Sequence, residues 1–185
     1  MGRQEQTNHL FSNRDLRILL VPLIVEQILN SLMGTADSIM VSNVGSAAIS
    51  AVSLVDSINI LVIQAFYALA AGGPIVCSQY IGQKDKKNAE ESARQLSFVV
   101  ACISSAVMAV CLLTRGPLLR LIFGSVEADV MEAAQIYFFY TALSFPFIAL
   151  YDAGASIFRA QENTRGPMVI SIISNVMNIG GNAVL

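Results

Sequence analysis

Apolar residues fill five long segments of this chain, and short polar segments separate them. A helix needs about 20 mostly apolar residues to cross the hydrocarbon core of a bilayer, and each segment meets or nearly meets that length. The pattern therefore predicts an all-α, polytopic transmembrane helix bundle, with helices over approximately residues 16–41, 47–80, 96–113, 130–158 and 168–185. The second segment is long enough to cross with a tilt or with a break near Gly72, Gly73 and Pro74.

The fifth segment stays apolar to Leu185, with no polar or basic flank after it. We therefore expect residues 16–185 to form a transmembrane domain that is truncated within its fifth helix. The sequence leaves open whether this truncation lies in the gene or only in the piece of protein that it describes.

The composition and charge distribution support a membrane environment and predict an orientation. Hydrophobic residues make up 55% of the chain and charged residues 13%, whereas soluble domains carry about 25% charged residues. The net charge of −2 argues against a nucleic-acid partner, which requires a basic face. If the N-terminus is cytoplasmic, all basic residues except Arg115 and Arg120 lie on the cytoplasmic side. Because cytoplasmic loops are rich in Lys and Arg, we expect residues 1–15 to form a cytoplasmic tail. We expect the protein to lie in a plasma or inner membrane.

Four acidic residues lie inside the predicted spans: Glu26, Asp37, Asp56 and Asp152. An ionisable side chain at membrane depth is a candidate functional residue because its insertion is costly unless it is paired or hydrated. On the first helix, a polar stripe is formed at spacings of four, four and three by Glu26, Asn30, Gly34 and Asp37. Its two carboxylates lie about 16 Å apart along the helix axis, so they can line one cavity without forming a direct pair.

The remaining polar positions leave alternatives open. The fifth helix carries a second stripe, consisting of Ser171, Asn175, Asn178 and Asn182, which either bonds to neighbouring helices or lines a cavity. Asp56 shares a face with Asn59 and is a further candidate to line a cavity, and Tyr137 or Tyr140 could turn a hydroxyl inward. For Asp152 we favour a structural role, at the interface or paired with Arg159.

Pro22, near the start of the first helix, admits two interpretations. It is a hinge that kinks the helix and frees backbone carbonyls, or it lies in the first turn, where it disturbs little.

Signatures of enzyme chemistry do not appear in the sequence. Cys77, Cys102 and Cys111 have no C-x-x-C spacing and are expected to be small buried hydrophobic residues. The single histidine, His9, lies in the polar tail. We find no phosphate-binding or nucleophile motif, so we expect no enzyme, no resident metal and no cofactor.

Four stretches resemble the multidrug and toxic compound extrusion (MATE) transporters, and they occur in that family's order. They are Pro22 followed by MGTADSIMVSNVGSAAISAVS (33–53), GGPIVCSQYIGQKDKKNA (72–89), IFRAQENTRGPM (157–168) and NVMNIGGNAVL (175–185). The resemblance implies a twelve-helix transporter of two six-helix lobes, of which this chain covers about five helices of the first.

The resemblance also implies a function and site residues. The family exports cationic or amphipathic compounds in exchange for H⁺ or Na⁺. Asp37 matches its cation-coupling aspartate, and Na⁺ could bind there, while Asn178, Asn182 and Tyr137 match further residues of that site. Many members carry aspartate at the position of Asn182, and an amide does not exchange protons near neutral pH. Either Asp37 titrates alone, helped by Glu26, or coupling depends on the second lobe.

Two alternative functions stay open. A flippase of lipid-linked oligosaccharides would hold basic residues at membrane depth for phosphates, and the sequence places none there. A truncated remnant or membrane-embedded interaction subunit would not transport at all. Because five helices do not complete a lobe, we expect the isolated chain to be inactive.

Overall fold

The computed structural model describes residues 13–42 and 45–184, and this part of the chain is almost entirely helical. Its helices are α1 (Asn13–Ser42), α2 (Ser46–Gly82), α3 (Lys86–Phe123), α4 (Ala128–Ala160) and α5 (Arg165–Val184). The predicted all-α helical bundle is therefore confirmed. Four helices contain a segment long and apolar enough to cross a membrane, namely Leu16–Thr35, Ser46–Gly82, Lys86–Phe123 and Ala128–Ala160. The fifth crossing stays a prediction.

The helices continue beyond their apolar segments. α3 begins ten residues before the predicted span and ends ten residues after it. The early start is stabilised by Asp85, whose side chain caps the helix by accepting a hydrogen bond from the Asn88 N–H at 3.2 Å. α2 passes through Pro74 without interruption. Of the two possibilities for the second segment, the structure therefore contains one continuous helix.

α2, α3 and α4 form a tightly packed core. The face of α4 that points into this core is built from alternating small and aromatic residues at spacings of three and four: Ala134, Phe138, Ala142, Phe145, Ala149 and Ala153. Phe145 meets Phe66 of α2 edge to face, with ring centroids 5.8 Å apart. Small residues allow the backbones to approach closely, and at Gly73 a Cβ atom would overlap the Leu96 side chain of α3.

α1 and α5 pack mainly against each other and make fewer contacts with the core. Large apolar side chains of α1 are exposed, with Ile24, Ile28 and Leu32 all more than half exposed. This pair therefore forms a second unit beside the α2–α3–α4 core.

Pro22 lies inside α1 and is buried, so the first-turn interpretation is wrong. A proline has no N–H to donate to the carbonyl four residues earlier, which here belongs to Ile18. The Thr164 hydroxyl, next to the start of α5, donates to this Ile18 carbonyl at 3.4 Å. Because of the proline, the Ile18 carbonyl is available to accept this hydrogen bond, which joins α1 to the start of α5.

The three cysteines are free thiols. Cys77 and Cys111 are buried, as expected, whereas Cys102 is exposed on α3. The expectation of burial was wrong for Cys102 because an apolar segment of a membrane helix also has a face directed at lipid.

Candidate functional site

An ion pair between a buried carboxylate and a partly exposed guanidinium joins α1 to the end of α4. The Glu26 residue is 5% exposed, and its Oε1 atom accepts a hydrogen bond from Nη2 of Arg159 at 3.0 Å. The Tyr151 hydroxyl donates to the same Oε1 atom at 3.2 Å. Arg159 lies in the last turn of α4, and its long side chain carries the guanidinium inward to the carboxylate.

The hydrogen-bonded cluster continues into α5. The Tyr151 hydroxyl also lies 3.0 Å from the Ser171 hydroxyl. The Asn175 side chain donates to the Ser171 carbonyl at 2.9 Å, within its own helix. Three helices, α1, α4 and α5, therefore meet through one group of polar side chains.

A cavity of about 440 Å³ opens beside this ion pair. Its lining comes from α1, α2 and α4 and includes Glu26, Asn30, Gln64, Tyr67, Asp152 and Arg159. A second, more apolar cavity of about 340 Å³ shares Tyr67, Asp152 and Arg159 with the first. Volumes of this order are typical of small-molecule sites.

A separate polar cluster joins α2 to the first half of α4. The Tyr137 hydroxyl donates to Oδ1 of Asp56 at 3.1 Å, and the Asn59 amide donates to the same atom at 3.3 Å. Asn59 is 7% exposed. Of the two tyrosines considered from the sequence, Tyr137 turns inward, whereas Tyr140 is 66% exposed.

The structure brings only some of the predicted residues together. Glu26 and Asn30 of the first-helix stripe line one cavity, although Asn30 is exposed in this chain. Asp56 and Tyr137 meet in the other cluster. Asp37, Asn178 and Asn182 belong to α1 and α5, but their side chains fall outside the described residues.

Sequence reasoning missed the roles of Tyr151 and Arg159. It offered Arg159 as a partner for Asp152, seven residues earlier on the same helix face, but the guanidinium pairs with Glu26. A signal for Tyr151 was present, since it lies 14 residues after Tyr137 and 14 residues return to nearly the same face of a helix. No pattern within one helix could show that this face meets Glu26.

Comparisons with known proteins match this architecture. The MatE family model matches residues 22–184. The chain is 31% identical over 181 residues to the uncharacterized transporter YisQ of Bacillus subtilis, covering 98% of this chain and 38% of YisQ. It is 24% identical to the probable multidrug resistance protein NorM of Thermotoga maritima, covering 90% of this chain and 35% of NorM.

Solved structures share the fold. A MATE protein in complex with MaD3S superposes with a TM-score of 0.85 at 20% identity, over 92% of this chain and 38% of that structure. A MOP superfamily transporter from Pyrococcus furiosus gives a TM-score of 0.83 at 19% identity, over 100% of this chain and 41% of that structure. The chain thus spans about two fifths of the length of these relatives. With the family model matched over residues 22–184, the chain belongs to the MatE family of multi-pass membrane transporters.

Proposed function

We propose that this chain supplies the first five helices of the first lobe of a secondary active antiporter. That antiporter would export amphipathic or cationic small molecules in exchange for H⁺ or Na⁺. It would lie in the plasma or inner membrane with a cytoplasmic N-terminus, and a second lobe would complete it.

The observation that carries this proposal is a pair of carboxylates that line a cavity between helices long and apolar enough to cross a membrane. Glu26 and Asp152 line the 440 Å³ cavity between α1 and the core, and Asp37 follows Glu26 along α1 by eleven residues. Charges inside membrane spans are costly and mark ion or substrate paths. An excess of negative groups favours cations over anions there.

The division into two units suggests how cation binding would reach the rest of the lobe. α1 carries Glu26 and Asp37 and packs mainly on α5, so neutralising a carboxylate on α1 would change how this pair sits on the core. A cation that binds one arrangement better shifts the equilibrium toward it. Pro22, inside α1, is the proposed hinge for such a movement.

The flippase alternative is less well supported by the charges. Arg159 does line the cavity, which the sequence did not anticipate, but its guanidinium is already paired with Glu26. The cavity it lines has two carboxylates for this one cation, and such a site would repel a phosphate group. Preferential binding of an anionic lipid-linked sugar over an organic cation would reverse this judgement.

The test is an efflux assay on a full-length protein that contains this chain. We expect Asp37→Asn to abolish or strongly reduce ethidium efflux, because the amide neither releases a proton nor carries the charge that holds Na⁺. A matched control is Glu132→Gln, an exposed carboxylate of α4, which should leave efflux unchanged. Efflux at the unsubstituted rate from the Asp37→Asn protein would contradict the proposal.

Separate gradients then identify the coupling ion. Efflux from proteoliposomes is measured with either a pH gradient or a Na⁺ gradient alone, and the gradient that drives it names the ion. The 185-residue chain by itself should show no coupled efflux under either gradient, because it lacks the remaining helices of its relatives.

A further inference from the structure

Three charged side chains meet at the 440 Å³ cavity, and their charges do not cancel. Of the described residues that line it, Glu26 and Asp152 are acidic and Arg159 is basic. With all three ionised, the formal charge is −1. The other titratable groups facing the cluster are the phenols of Tyr67 of α2 and Tyr151 of α4, which add nothing to this formal charge. The α5 residue that reaches it, Ser171, carries no charge.

The bonding of Glu26 is incomplete in a way that points to a ligand. Its Oε1 atom accepts bonds from Arg159 and Tyr151, whereas its buried Oε2 atom has no partner. The Glu26 side chain is only 6% exposed. A carboxylate oxygen buried without a donor or cation costs free energy, so an occupant beside Oε2 would remove this cost.

Asp152 is the second carboxylate of this cluster. Within the described parts of the chain, its carboxylate makes no ion pair or hydrogen bond, because the guanidinium that shares its helix face is bonded to Glu26. The Arg159 Nε atom is also buried without a partner. The Arg159 Nε donor and the Glu26 Oε2 acceptor, both without a hydrogen-bond partner beside one cavity, are typical of a hydrated site rather than a dry apolar one.

We propose that the cavity between Glu26 and Asp152 binds one monovalent cation, which balances the charge that Arg159 leaves uncompensated. The cation is either a proton shared by the two carboxyl groups or Na⁺ held by oxygen atoms. Side-chain amides of Gln27, Asn30 and Gln64 also line the cavity and offer further oxygen acceptors. The site differs from that proposed at Asp37, which lies about 16 Å away along α1.

This inference rests on the proposed function and extends it to a second coupling site. The Glu26–Asp152 site would be a second cation-binding site in this lobe, in addition to the one proposed at Asp37. α1 would then carry one member of each site, so both cations would act on the same helix.

The experiment counts cations bound by the purified 185-residue chain in nanodiscs. Radiolabelled Na⁺ is titrated at about pH 8, with choline holding the ionic strength constant, and the protonated carboxyl band is followed by infrared difference spectroscopy between about pH 5 and about pH 8. We expect two cation sites in total. Both appear in the Na⁺ titration, both appear in the infrared measurement, or each measurement shows one. Glu26→Gln and Asp152→Asn should each lose one site, with at least about a tenfold loss of affinity.

Asp37→Asn separates this inference from the proposed function. The Asp37→Asn chain should retain the site that Glu26→Gln removes, and the Glu132→Gln control should retain both sites. If Asp37→Asn leaves no site, the Glu26–Asp152 site is refuted and the proposed role of Asp37 stands. If Glu26→Gln leaves none while Asp37→Asn leaves one, the inference stands and the proposed role of Asp37 fails.

Substitution of Arg159 should raise the affinity for the cation, whereas substitution of Glu26 or Asp152 should lower it. Arg159→Gln leaves two carboxylates without their internal cation, so the cluster should bind the added cation at least about tenfold more tightly. Arg159→Lys retains the charge and should bind as the unsubstituted chain does. Damage to the fold would weaken binding in both variants, and weaker or unchanged binding in a folded Arg159→Gln chain would overturn the inference.

Discussion

The two units of this chain are held together by different kinds of contact. The α2–α3–α4 core is joined by a continuous apolar cluster, as in the edge-to-face contact of Phe66 with Phe145, and its polar cluster at Asp56 and Tyr137 adds to that packing. Its buried hydroxyls bond to nearby backbone, as Ser104 does with the Val100 carbonyl at 2.7 Å. The α1–α5 pair meets α4 instead through an ion pair and shared hydroxyl groups.

This difference bears on what each unit can do in a membrane. Lipid provides no hydrophobic driving force between helices, so close packing and polar contacts determine which surfaces stay together. A close-packed core has one good arrangement. A polar contact such as Glu26 with Arg159 can exchange partners with water or a cation. The core is thus suited to act as scaffold, and the α1–α5 pair as the part that responds.

The largest effect is expected from opening a hole in the core. Phe145→Ala removes a side chain that is 1% exposed and should lower the free energy of unfolding by about 2–3 kcal/mol. This lies below the usual Phe→Ala cost, because unfolded segments of a membrane protein remain in lipid. Titration with SDS in mixed micelles measures it.

The matched control for this prediction is Phe147→Ala on the same helix. Phe147 is 73% exposed, so its removal should change the free energy of unfolding by less than about 0.5 kcal/mol. Equal losses from the two substitutions would show that packing of the α2–α3–α4 core does not set its stability.

A smaller effect is expected where the two units meet. Tyr151→Phe removes the hydroxyl that donates to Glu26 and contacts Ser171, and it should cost about 0.5–1.5 kcal/mol. Hydrogen exchange should rise in α1 and α5 while α2, α3 and α4 stay protected. Tyr140→Phe, at an exposed position, is the control. A uniform rise over all five helices would mean that the two units do not separate.

The fold was largely predictable from the sequence, because lipid imposes a strong pattern on helices that cross it. Apolar length alone predicted the helices, and the charged flanks showed where they are joined. The ends were less predictable, as in α3, because a helix continues into water wherever its residues permit. Cys102 shows the same limit, since membership of an apolar segment does not tell which face meets lipid.

The site was only partly predictable. Spacing put Glu26 on a polar stripe, but pairing within one helix suggested Asp152 as the partner of Arg159, and the structure has Glu26 there instead. The choice depends on how α1 sits against α4, which neither helix encodes alone. Pro22 is a similar case, because the use of the freed Ile18 carbonyl depends on Thr164 more than 140 residues later.

The most direct test of the two-unit description is a double-mutant cycle on the ion pair that joins them. Glu26→Gln, Arg159→Gln and the double variant are unfolded under identical conditions, and the coupling free energy is taken from the four values. A direct contact at 3.0 Å, largely buried, should give a favourable coupling of about 1 kcal/mol or more. Additivity within about 0.3 kcal/mol would contradict it, because α1 would then be held to α4 by something other than this pair.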